Sequence, residues 1–225
     1  MILSEMYTQL GKRLEDEGGS TFSNTDKRVA IIIAQRMCAT ILDEEYLLGL
    51  EVKKSNISVR LDPDYLGCQS FSLRENSIVP FANKITLIEA PSRTGSPVNR
   101  GYCRIVEADY IDQSANHYLS GDEVGELVAN IHGDTVRIFS ETGLAFSQGV
   151  HVSYIEDPYT LTNFNDQTNE IPLNHTLHPI VLDLAEGELW AKDRNYTRSM
   201  DAYKKGYAIL TTLNQRKEYD GKDFH

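Results

Sequence analysis

The spacing of apolar residues changes twice along this chain, helical at both ends and strand-like in the middle. Leu3, Met6, Tyr7, Leu10 and Leu14 recur at intervals of three and four, the stripe of an amphipathic helix, with Ser4 placed to cap it. Paired glycines in Asp16–Ser20 break that pattern. A second helix is expected from near Ser23 to about Leu48, with Val29, Ile32, Ile33, Arg36, Met37, Thr40, Ile41, Glu44 and Leu48 as its broad packing face and Gly49 as its stop. After Gly49 the period falls to two, in Ile57/Val59/Leu61, Ile85/Leu87, Val136/Ile138 and Val150/Val152/Tyr154. Turn residues separate these runs at Asp62–Asp64, Pro91–Pro97, Ser120–Asp122, His132–Asp134 and Ser140–Gly143. The spacing predicts a compact antiparallel sheet or small barrel over about 52–156, with a mobile loop around Pro91–Gly101.

Helical spacing then returns. Asp157-Pro158 closes the last strand, residues 159–170 are polar and turn-like, and helices are expected from about Leu177 to Lys192 and from about Tyr196 to Gln215. In the last of these, Tyr196, Met200, Tyr203, Tyr207 and Leu210 approach a heptad seam. Residues 216–225 read as a charged, frayed end. The expected fold class is therefore α+β: a helical bundle formed by the N-terminal and C-terminal helix pairs, carrying an inserted antiparallel β-rich lobe. The expected divisions are 1–50 and 158–217 for the bundle, 51–157 for the lobe, and 218–225 for a flexible tail.

Charge narrows the function. With 22 basic against 33 acidic side chains, the net charge is -11, which argues against wrapping nucleic acid through counterion release. The imbalance is uneven. From Lys192 onward there are eight basic and five acidic residues, a local +3, which leaves 14 basic and 28 acidic, or -14, in 1–191. A basic helical end of this kind suits docking on an acidic neighbour, another copy of the chain included. Three cysteines are too few and too scattered for a disulfide framework, so a reducing compartment is expected. Neither an apolar run of about eighteen residues nor the positive, apolar start of a signal peptide is present in the sequence.

Candidate chemistry is sparse. The P-loop and dinucleotide fingerprints are missing, so nucleotide hydrolysis is not expected. His175 and His178 would share a helical face, the nearest approach to a zinc pair, with Cys68, Cys103, His117, His132 and His151 scattered through the β region. The plain reading is that the two histidines cap and orient the third helix. Cys68 or Cys103 beside a histidine would make a nucleophile, yet cysteine in such strands is ordinarily a small buried hydrophobe. The acidic groups Asp43-Glu44-Glu45, Asp122-Glu123 and Glu186/Glu188 suggest glycoside cleavage only in the way any acidic surface does. No catalytic, cofactor-binding or metal-ligating residue is assigned, no cofactor is expected, and the chain is read as a non-enzyme.

The chain resembles the head-to-tail adaptor, or connector ring, proteins of tailed bacteriophages. The residues that carry the resemblance are the opening Leu3–Leu14, the helix before the β region, the strand ending Val150-His151-Val152-Ser153-Tyr154-Ile155-Glu156-Asp157-Pro158 and, above all, the return Ile171-Pro172-Leu173-Asn174-His175-Thr176-Leu177-His178-Pro179-Ile180-Val181-Leu182-Asp183-Leu184-Ala185. That return looks like the family's proline-led approach to its third helix. The resemblance covers the helical ends and is architectural.

It implies a structural virion protein at the neck or tail, assembled in the host cytoplasm. Its partners would be the portal protein, the next neck or tail ring, and neighbouring copies in a ring, commonly of twelve. Channel DNA would pass without sequence-specific contact, which an acidic wall favours, and no membrane would be involved. Residues 192–217 would dock on the portal. Two other readings follow from the same residues: a neck-associated peptidoglycan hydrolase working through a carboxylate such as Glu44 or Glu186, and a non-viral soluble interaction module.

Overall fold

The first helix, α1 (Leu3–Arg13), buries Leu3, Met6, Tyr7 and Leu10, the stripe read from the sequence. Its cap position is Ile2 rather than Ser4, and the Glu5 carboxylate accepts the Ile2 N–H at 3.1 Å. The structure, a computed structural model, describes residues 1–63, 68–91, 100–106, 127–140 and 149–220. The expected loop at 92–99, the turn at 141–143, His117, the turn around Asp122, Glu123 and the final residues 221–225 lie outside the described residues. The chain divides into two compact units, Met1–Glu51 with Ile155–His225, and Val52–Tyr154.

In the helical unit, α2 (Asn24–Ile41) starts at a capping box: Ser23 Oγ accepts the Asp26 N–H, and the Asp26 carboxylate accepts the Ser23 N–H. Two departures from expectation follow. The helix ends at Leu42, whose backbone is extended, and 3₁₀ turns at Glu44–Tyr46 and Leu48–Leu50 replace the predicted continuation, seating Leu42, Leu47 and Leu50 at zero exposure. The buried face of α2 is also not the predicted one. It consists of Lys27, Ala30, Ile31, Ala34, Gln35, Cys38 and Ala39, while Val29 is 49% exposed. Gly49 serves close approach rather than helix termination, because a Cβ there would fall 1.9 Å from the Pro172 carbonyl oxygen.

A single turn, α3 (Pro158–Leu161), is capped by Asp157, which accepts the Tyr159 N–H at 3.0 Å and holds Arg36 through two nitrogens. A 3₁₀ turn at His175–Leu177 leads into α4 (His178–Lys192), close to the expected helix. Helix α4 is apolar on nearly every side, because α1, α2 and α5 (Tyr196–Asp220) all pack against it.

The second unit is a sheet of eight strands: β1 (Glu51–Ile57), β2 (Arg60–Leu61), β3 (Cys68–Ser72), β4 (Ile85–Pro91), β5 (Arg100–Val106), β6 (Leu127–His132), β7 (Thr135–Ser140) and β8 (Val150–Ile155). Their order is β1-β8-β4-β5-β6-β7-β3-β2. A core of its own includes Ile57, Phe71, Ile88, Ala129, Val136, Ile138 and Val152.

The fold class differs from the expected one. The chain is α+β, but it is dominated by an eight-stranded mixed sheet curled as an open half-barrel, together with five helices among the described residues; it is not a helical bundle carrying an inserted antiparallel lobe. The sheet is mixed because β5 runs parallel to β6, in the register Cys103–Leu127 to Val106–Asn130. A parallel pair needs a connection of about a dozen residues or more, and 107–126 is long enough to supply it. Period-two spacing reports which residues face a core and is silent on strand direction.

Candidate interaction surface

Helix α5 is set by the turn that precedes it. Asp193 and Asn195 donate their N–H groups to the Leu189 and Trp190 carbonyls at 3.1 and 2.9 Å, Arg194 takes a left-handed conformation at φ 61°, and Asn195 Oδ1 accepts the Arg198 N–H. This reverses the chain so that α5 lies on α4. The seam facing α4 is built of small residues. Ser199, Ala202 and Gly206 are buried with Leu210, and Gly206 brings the backbone so close that a Cβ would sit 2.7 Å from Leu184 Cδ2. Gly187 does the same from α4, where a Cβ would stand 3.0 Å from the Tyr203 ring.

The aromatic row read as a seam is therefore divided. Leu210 is buried in the contact with α4, whereas Tyr196, Met200 and Tyr207 are 66, 56 and 39% exposed. Tyr203 stands between: its hydroxyl donates to Glu188 at 2.5 Å, and burial, reinforced by that carboxylate, raises its pKa above the ordinary phenol value. Tyr207 reaches Met37 Sδ of α2 at 3.8 Å. Met200, Tyr203, Lys204, Tyr207, Ala208 and Thr211 line a shallow, mainly apolar groove of about 520 Å³ on the outer side of the helix. Lys204 puts positive charge in the groove itself, while Arg198 is stacked over Trp190 at 4.7 Å.

The histidine pair is brought together, as its spacing suggested. The His175 and His178 rings are 4.9 Å apart beside a second groove of about 690 Å³ lined by residues of α1. His178 Nε2 is 2.9 Å from the Leu173 carbonyl oxygen, and the two Nδ1 atoms lie 2.9 and 3.3 Å from the Met1 nitrogen. Burial lowers the pKa of His178. Asn174, which accepts the Thr176 N–H, is the cap of this turn, and His178 ties the helix start to the segment before it. Among the described residues, no three histidine, cysteine or carboxylate side chains are grouped to hold a metal ion.

The other candidates are dispersed. Cys68 on β3 and Cys103 on β5 are buried, as is Cys38, and burial pushes each thiol up to about 12, where the thiolate needed for nucleophilic attack is scarce. His151 Nδ1 accepts the Asn56 N–H, and His132 is exposed at the end of β6. Glu186 is 3.5 Å from Arg13, which also binds Asp183, and Glu188 holds Tyr203. Glu44 lies in the first 3₁₀ turn, and neither Glu44 nor Glu186 lines either groove. No helix among the described residues is long and apolar enough to cross a membrane. No known protein family matches this chain, and no curated protein is similar to it in sequence.

Proposed function

We propose that the chain is a structural virion protein, a subunit of the head-to-tail adaptor ring that joins the portal of a tailed bacteriophage to the next ring of the neck or tail and lines part of the DNA channel. The observation that carries this reading is the return segment Ile171–Ala185. Its asparagine-capped turn, with Pro172 before it and Pro179 at the helix start, feeds a central helix packed by α1, α2 and α5, and it is the segment on which the resemblance to adaptors chiefly rests. Assembly favours chains that keep surfaces in reserve, and the outer face of α5 is one. The excess of carboxylates suits a channel wall that DNA must pass without adhering.

Imaging of virus particles carrying a labelled copy of the chain tests the reading. The label is expected in a ring between portal and tail, and the purified chain is expected to leave cell-wall substrate intact in a zymogram. A label elsewhere in the particle, or clearing of the cell wall, overturns it.

A further inference from the structure

We propose that the outer groove of α5 is where a second copy of this chain docks, and that it receives the acidic turn around Glu44, Glu45 and Leu48 of that neighbour. The proposal rests on the ring reading and gives it a surface.

Four of the eleven large apolar side chains exposed among the described residues belong to α5, and Tyr196, Met200 and Tyr207 share one stripe. Across 196–215 the helix carries Arg198, Lys204 and Lys205 against Asp201 alone, with Lys204 in the groove itself. The acidic turn is its complement. Leu48 is 67% exposed, Glu45 is exposed, and no lysine or arginine occurs from Ile41 to Glu51. An apolar groove edged by an ammonium group thus suits an exposed leucine accompanied by carboxylates, a match in polarity and in sign.

Hydrogen bonds hold the chain's own turn beyond the Thr211 end of the groove, away from its middle. The turn is pinned at the far end of α5, where the Tyr46 hydroxyl donates to the Leu213 carbonyl at 3.3 Å and the Asn214 side-chain amide donates to the Ile41 carbonyl at 2.6 Å. Leu213 lies about 15 Å along the helix axis from Tyr203, at the centre of the stripe. Pairing two different patches is a heterologous contact, which leaves one unused patch at each end of every pair and so propagates, closing into a ring when the rotation between neighbours allows it and running on as a filament when it does not.

Because the native thiols are buried and pushed up to about 12, cysteines introduced on the surface report alone. Ala208→Cys and Glu45→Cys proteins, mixed and oxidised, are expected to give a cross-linked dimer. Each alone should give none, and the chain carrying both should give a ladder. Lys204→Glu should lower the yield roughly tenfold, and Glu44→Lys in the other protein should restore it. Yields no higher than with Thr8→Cys replacing Glu45→Cys overturn the proposal, as does indifference to Lys204→Glu or cross-linking of the thiol at 208 to a different virion protein. A ring seen by imaging without this cross-link defeats the contact alone, whereas a label away from the neck defeats the ring reading.

Discussion

His178 is buried at 2% exposure, with one ring nitrogen committed to the Leu173 carbonyl and the other directed at the Met1 nitrogen. Desolvation lowers its pKa below 6.5; the Leu173 carbonyl works against that, the positive Met1 nitrogen and His175 assist it, and Glu170 opposes it. The fold thus favours the neutral ring, so the unfolded chain binds the extra proton first. The stabilisation is complete above the unfolded value and is lost as pH falls from about 6.5 toward the lower folded value. Resistance to urea should drop between about pH 7.5 and 5.5, and His178→Gln should flatten that drop. A slope unchanged by the substitution would place the pH dependence in other groups. The i, i+3 spacing of the histidines was enough to expect shared geometry. Which carbonyl locks the ring depends on where Leu173 lies, and no local pattern encodes that.

At the scale of elements, the starts of α2, α4 and α5 were easier to read than the end of α2 or the faces of α2 and α5. Ser23 with Asp26 marks the start of α2, and the Lys192–Asp26 ion pair reinforces it, holding the Asp26 carboxyl down at about 2. The faces were misread for one physical reason in two places. Hydrophobicity singles out Val29, Ile33 and Met37 on α2 and the tyrosines on α5, yet the buried small residues are Ala30, Ala34 and Ala39 on one helix and Ser199, Ala202 and Gly206 on the other. Small side chains let backbones approach and bury area that a hydropathy stripe undervalues. Gly206→Leu tests this. Leucine gains up to about 0.8 kcal/mol in helix propensity, but its branches must displace Leu184, so a net loss of about 1–3 kcal/mol in unfolding free energy is expected. Ala208→Leu on the exposed side of the same helix should change stability by no more than about 0.5 kcal/mol. Equal effects at the two positions would mean that the α4–α5 seam is not close-packed.

For the whole molecule, the sequence announced a β-rich middle but not its architecture. Alternation in Val136/Ile138 and Val150/Val152/Tyr154 is the same whether a neighbour runs parallel or antiparallel, and the β5–β6 pairing that makes the sheet mixed brings together segments separated by 107–126. The point at which the chain leaves the helical unit and the point at which it returns are joined by a backbone hydrogen bond, the Glu156 N–H donating to the Leu50 carbonyl at 2.9 Å. The buried residues of that unit include Leu3, Met6, Leu10, Ile31, Leu42, Leu47 and Leu50, all at zero exposure. A short connection can therefore replace Val52–Tyr154 without stretching either end. A chain in which an Asn-Gly turn joins Glu51 to Ile155 should keep its helical circular dichroism and unfold in a single cooperative transition. Loss of cooperativity, with helix content melting gradually, would show that the helical residues depend on the sheet for their fold and that the two units are one thermodynamic body.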